Sequence, residues 1–264
     1  MKRESGTART KGAVSTAVLV AVCLVMLVYA GCQSRVLTEP DTDGAGTQAP
    51  PGYLSVRERP IDVLEFGDGQ QTVLVMGGIH GDEPSSVELT RALADHLRTL
   101  PPARFTRRVV VMPAVNPDGL AARTRWNARR IDLNRNFPSR DFGTGQRSGR
   151  YYGGSAPASE PETRAIMAVI DRYDPHLIIS CHAPLACVNY DGPAEGIARR
   201  MAELNGFPVV AKLTPRSPGS LGTYYGKERG LPVITLELNP RHHQWNRHGP
   251  ALLDAIGVVA TPTP

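Results

Sequence analysis

Five short runs rich in Val, Ile, Leu and Met alternate with stretches of helical spacing, and this alternation limits the fold more than any other feature. Thr72-Val73-Leu74-Val75-Met76 ends at Gly77-Gly78, and Arg108 to Val115 is stopped by the turn-forming Asn116-Pro117-Asp118-Gly119. Leu177 to Cys181, Val209 to Leu213 and Val233 to Leu238 follow. Such unbroken apolar runs suit strands covered on both faces, as in a parallel sheet. Between them, Pro84 opens a stretch whose Val87, Leu89, Leu93 and Leu97 share one helical face until Pro101-Pro102. Pro161 to Tyr173 and Gly192 to Leu204 repeat that period, while Gly143 to Ser159 has none and is expected as a long surface loop. The pattern predicts an α/β layered domain around a mostly parallel, buried sheet.

Apolar residues make up 41% of the 264, enough for a sizeable core. The net charge is +5, but the basic residues are scattered rather than gathered on one face, so no nucleic-acid partner is expected.

The N-terminus is a different material. Lys2, Arg3, Arg9 and Lys11 precede a nearly unbroken apolar run, Ala13 to Ala30. A positive head before such a run predicts an export signal or a membrane anchor over residues 1–32, with the rest of the chain outside the cytoplasm. Tyr29-Ala30-Gly31-Cys32 resembles the lipobox of bacterial lipoproteins, with Tyr29 in place of the usual aliphatic residue. Membrane attachment is therefore expected through the segment itself or through a lipid on Cys32. Residues 33–52, rich in Pro, Gly, Thr and Asp, are expected to form a flexible tether, and residues 53–264 the folded domain. Only Cys181 and Cys187 remain in that domain. They could bond only if the chain turned back near Pro184; Cys181 is expected as a small buried strand residue, and no disulfide framework is implied.

Polar groups with chemical capacity follow the apolar runs, where α/β sheets place their ligand sites. His80 and Glu83 sit in Gly78-Ile79-His80-Gly81-Asp82-Glu83, and His182 follows Ser180-Cys181. Two imidazoles and a carboxylate match a catalytic zinc site with a fourth place open to water. Taken singly, a His-x-x-Glu pair is also a common surface pair or cap, and a lone histidine a common core residue. Glu237 lies inside the apolar Thr235-Leu236-Glu237-Leu238, where an ionised group is costly unless paired or near a cation. It is either a general base or a partner in a structural ion pair with an arginine. Asp132-Leu133-Asn134-Arg135-Asn136-Phe137 combines a guanidinium fork with an amide suited to a carboxylate, or is a surface loop.

These motifs occur in the order seen in zinc carboxypeptidases: Gly78-Ile-His80-Gly-Asp-Glu83, Asn116 to Gly119, Asp132 to Pro138, Glu160-Pro-Glu-Thr163, His182 and Thr235-Leu-Glu237. The resemblance covers Leu54 to the C-terminus, and Ser180 to Cys187 with Pro218 to Gly222 is most similar to the murein peptide amidase branch. It implies a three-layer α/β/α zinc-carboxypeptidase-like fold with a mixed, mostly parallel central sheet, and a zinc peptidase or amidase domain that holds one Zn2+ on His80, Glu83 and His182. It further implies Glu237 as general base and acid, Asn134 and Arg135 on the substrate's terminal carboxylate, and Arg125 on the scissile carbonyl. Arg123, Arg129 and Arg130 are rivals of Arg125, because Arg129-Arg130 stands where relatives often carry Asn-Gly. The family's mobile tyrosine has no clear counterpart, Tyr224 and Tyr225 lying near the specificity loop, Pro218 to Thr223, without aligning to it. His242, His243 and His248 are expected in a rim loop with Trp245.

The expected function is a monomeric zinc hydrolase of the cell envelope. Its substrate is a peptide or muropeptide with a free carboxylate, and the expected cut is at the γ-D-glutamyl–diaminopimelate bond. The alternatives are a general metallocarboxypeptidase, an enzyme deacylating small N-acyl amino acids, and a non-catalytic muropeptide-binding protein.

Overall fold

Alternation within each apolar run decides which layer each side chain enters. In a computed structural model describing residues 47–48, 52–145, 147–213, 217–242 and 244–259, Thr72–Met76 forms strand β3. Val73 and Val75 face one layer, and Leu74 and Met76 the other. Every residue of β3 is buried, as a strand covered on both faces requires. The expected export segment, Cys32, most of the tether and His243 lie outside the described residues, all of which fall in the unit Gly44–Pro264. Among the described residues, no helix is long and apolar enough to cross a membrane.

The remaining strands are β1 (Thr47–Gln48), β2 (Leu64–Phe66), β4 (Arg108–Met112), β5 (Leu177–His182), β6 (Cys187–Asp191), β7 (Val209–Val210) and β8 (Val233–Glu237). They form one eight-stranded sheet in the order β1-β2-β4-β3-β5-β8-β6-β7. The inner strands β4, β3, β5 and β8 run parallel, whereas β1 and β2 on one flank and β6 on the other join antiparallel.

Helices cover both faces. Helix α1 (Pro84–Arg98), α4 (Glu195–Asn205) and α5 (Gln244–Ala255) enclose one core with Leu89, Leu93, Leu97, Met201 and Leu252. Helix α3 (Pro161–Tyr173) encloses the other with Ile166, Val169 and Ile170, joined by Leu133, Phe137, Leu221, Tyr224 and Tyr225. The three layers are those expected.

Several boundaries differ. Asn116-Pro117-Asp118-Gly119 does not merely stop a strand; it opens a short helix, α2 (Pro117–Ala122). The Asn116 side chain accepts the Gly119 N–H at 2.8 Å, and Pro117 takes the first helical position, where no N–H is needed. The preceding strand ends at Met112, and the Val209 run pairs over only two residues. The expected rim loop after Glu237 is mostly helix α5, with Pro250 inside it.

Candidate active site

Short connections at the ends of β3 and β5 aim the first group of side chains. Past Met76, the Gly78 N–H donates to Ser86 Oγ at 3.0 Å, and that hydroxyl donates to the Glu83 carbonyl at 2.7 Å, folding the loop onto the start of α1. Gly81 allows the loop to lie against α2; a Cβ there would sit 1.9 Å from the Gly119 carbonyl carbon. Glu83 occupies the cap position of α1 but makes no capping bond with its side chain. Its carboxylate turns inward, still at the end of the helix that favours negative charge.

There it meets the two histidines. Glu83 Oε1 is 2.8 Å from His80 Nδ1, Glu83 Oε2 is 3.0 Å from His182 Nδ1, and the two Nδ1 atoms are 3.2 Å apart. The Ala183 N–H donates to Glu83 Oε2 at 3.1 Å. One donor atom from each of the three residues lies within 4.8 Å of the others, and all three residues are buried. This is the set singled out in the sequence.

The outer ring nitrogens are occupied as well. His80 Nε2 is 3.0 Å from Asp132 Oδ1, and His182 Nε2 is 3.1 Å from Ser180 Oγ. Imidazoles held at one nitrogen and converging at the other, beside a carboxylate, are the donor set of a catalytic zinc site. Donors sharing one tetrahedral zinc stand about 3.4 Å apart, so a small outward adjustment admits the ion. Electrostatics point the same way. Burial disfavours a charged His80, yet Glu83 and Asp132 outweigh it and raise its pKa to about 9. Burial disfavours the charged carboxyls too, but His80 and His182 hold Glu83, and His80 with Arg125 and Arg135 holds Asp132, well below the usual range. The pocket therefore calls for positive charge, which a divalent cation supplies.

Asp132 is the residue that sequence reasoning passed over. It is fully buried, and its second oxygen accepts Arg125 Nε at 2.9 Å, so one carboxylate orients both a histidine and an arginine. Its signal was an acidic residue at the head of the Asn-Arg motif, but its partners are unrelated in spacing. Of the four candidate arginines, only Arg125 reaches the cluster, with Nη1 3.3 Å from His80 Nδ1 and 3.5 Å from Glu83 Oε1. Arg123 is the exposed left-handed cap of α2, Arg129 pairs with Glu160, and Arg130 lies over the Trp126 ring.

Glu237 ends β8 beside His182, its register partner, and its Oε2 accepts the Leu185 N–H at 3.4 Å. Burial pushes its carboxyl above the ordinary range; His182 draws it down, and Glu83 raises it further. Cys187 pairs with Glu237 from the other side. Cys181 and Cys187 are both buried and free.

Asn134 and Arg135 lie in a 3-10 turn, Leu133–Arg135, opened by Asp132. Asn134 Oδ1 accepts the Leu221 N–H at 2.9 Å. Gly219 packs against this turn so closely that a Cβ would sit 2.2 Å from the Arg135 carbonyl oxygen, and its own φ is +71°. Half-buried Arg135 donates from Nη1 to the Asn134 carbonyl and makes no ion pair with any described carboxylate. Tyr224 and Tyr225 are core residues packed on Phe137. His248 is likewise buried in α5 rather than exposed on a rim, because its ring packs edge-on against Phe207, 4.8 Å between centroids.

A zinc carboxypeptidase family model matches residues 54–226, and the chain belongs to that family. It is a zinc metallopeptidase. Murein peptide amidase A of Escherichia coli is 36% identical over 182 residues, covering 65% of this chain and 72% of the relative. That of Vibrio campbellii is 34% identical over 179 residues, covering 63% and 69%. The solved murein-tripeptide amidase of Escherichia coli superposes with a TM-score of 0.64 at 30% identity, over 81% of this chain and 94% of the other. Carboxypeptidase A of Helicoverpa armigera shares the fold at 17% identity, with a TM-score of 0.68 over 82% and 69%.

Proposed function

We propose that the chain hydrolyses an amide bond in peptides bearing a free carboxylate, at the γ-D-glutamyl–diaminopimelate bond of peptidoglycan stems. His80, Glu83 and His182 would hold one zinc ion, which when bound supplies the Lewis acidity that activates water and polarises a carbonyl. Glu237 takes a proton from the attacking water and passes it to the leaving nitrogen as the C–N bond breaks and the new C–O bond forms. A carboxyl raised by burial is suited to both halves of that transfer. Arg125 donates to the carbonyl oxygen as negative charge develops there, a contribution of about 3–4 kcal/mol for such donors. Asn134 and Arg135 bind the terminal carboxylate.

The observation that carries this reading is Arg135, a half-buried cation with no described ion-pair partner, one turn from Asp132. A guanidinium in that setting is matched by an incoming carboxylate. Likeness to murein peptide amidases supports the choice of bond. The charged head, apolar run and Cys32 support export to the envelope, with attachment through the segment or through a lipid. One chain carries every proposed site residue, in keeping with a monomer. Mass spectrometry of the mature N-terminus distinguishes a lipidated Cys32 from an uncleaved anchor.

The test is incubation of the zinc-loaded protein with a tripeptide ending in diaminopimelate and with ordinary peptides, free or amidated at the C-terminus. Release of diaminopimelate from the tripeptide is expected. Cleavage of ordinary free peptides alone would make the protein a general carboxypeptidase, and binding without cleavage would make it a muropeptide receptor.

A further inference from the structure

Tyr151, in the loop 143–159, lies among three guanidinium groups. Its ring centroid is 5.3 Å from Arg125 Cζ, 5.3 Å from Arg135 Cζ and 5.9 Å from Arg150 Cζ. All three fall inside the ~6 Å range in which a cation is drawn to an aromatic face. The loop is anchored here, since the Asp132 N–H donates to the Tyr152 carbonyl at 2.8 Å. Tyr151 is thus tied to the same segment that carries Asp132, Asn134 and Arg135.

Arg125 is held by Asp132, at 2.9 Å. Arg135 has no such anchor among the described carboxylates, and the nearby charge of Arg125 works against it. Burial lowers the Arg135 pKa first; Asp132 raises it, and Arg125 lowers it further. An aromatic ring within reach of two like charges offers both a negative face.

We propose that Tyr151 is a positioning residue for hydrolysis, its ring being the shared platform that keeps the Arg125 and Arg135 guanidinium groups at the spacing of the substrate's scissile carbonyl and terminal carboxylate. This rests on the roles proposed above for those two arginines. The spacing matters because the two substrate groups are joined through one residue. A displaced Arg135 therefore weakens binding, and a displaced Arg125 slows turnover.

The experiment compares Tyr151→Phe, Tyr151→Leu and Arg135→Gln in the zinc-loaded full chain, with steady-state constants on the cleaved tripeptide and a melting temperature for each. Tyr151→Phe keeps the π face and is expected to stay within about threefold of wild type in both constants. Tyr151→Leu is expected to raise KM about tenfold and to lower kcat, with the melting temperature held. Added to Arg135→Gln, the Leu change should raise KM little further, because both act through one group. Should the Leu variant not fold, Tyr151→Met carries the same expectation. A Leu variant with both constants within about twofold of wild type, beside an impaired Arg135→Gln, would overturn this proposal alone. So would a Phe variant as impaired as Leu, since the hydroxyl rather than the ring would then be responsible. An Arg135→Gln variant with unaltered KM would instead overturn the carboxylate reading on which the proposal stands.

Discussion

His182 and Glu237 are register partners at the ends of two parallel strands, β5 and β8. Parallel neighbours in register present their side chains on the same face. The sheet therefore sets an imidazole of the candidate metal site and a buried carboxylate side by side, with no loop needed to bring them together. His80 and Glu83 come to the same edge from β3, on the far side of β5.

The neighbouring carboxylate should matter for turnover and not for metal. Glu237→Gln keeps the shape of the side chain and removes its base. One zinc per chain should remain, while kcat falls about 10²–10⁴-fold. Metal analysis and steady-state kinetics on one preparation check both halves, and unchanged turnover would remove Glu237 from the mechanism.

Asp132 should matter for both. In Asp132→Asn a single acceptor oxygen replaces two and the charge is lost, so His80 Nε2 and Arg125 Nε cannot both be served. Zinc affinity is expected to fall about 10–100-fold, the usual cost of removing a histidine's outer partner. Competition against a chelator of known affinity measures it. An affinity equal to wild type would show that Asp132 does not orient the ligand.

Away from the site, His248 should set an acid limit to stability. Its ring is fully buried, neither nitrogen has a hydrogen-bond partner among the described residues, and burial, then Arg247 and His242, lower its pKa from 6.5 to about 4. Below about pH 6.5 the unfolded chain takes up a proton that the folded chain refuses until about pH 4. Its effect is thus absent above that window, and stability falls as pH drops through it, by roughly 2–3 kcal/mol in all. His248→Leu should lose less stability than wild type between about pH 7.5 and pH 4.5 in urea titrations. Equal losses in both would contradict this account.

What the sequence disclosed and what it hid follow from the physics of each segment. The inner strands were legible because burial on both faces demands unbroken apolar runs, as in Thr72–Met76. His182 and Glu237 stood out because they end or interrupt such runs, and His80 and Glu83 because they follow one; their joint roles came from the resemblance to zinc carboxypeptidases. Strand β6 was not, since Cys-Val-Asn-Tyr-Asp mixes polarities at the margin of the sheet. Helix α5 was hidden by Gly249-Pro250, which argue against a helix locally and are overridden by packing against α1 and α4. The roles of Asp132 and Tyr151 could not be read at all. Both depend on contacts, to His80 52 positions away and to Arg135 across a loop, that no local pattern encodes.

The most direct test of the account is the zinc content of the purified chain, measured with its peptidase activity before and after chelation. One zinc per chain is expected, with metal and activity lost together on chelation and restored together by zinc. His80→Ala, Glu83→Ala and His182→Ala should each abolish both. Full activity in the metal-free protein, or an unchanged zinc content in any of the three variants, would contradict it.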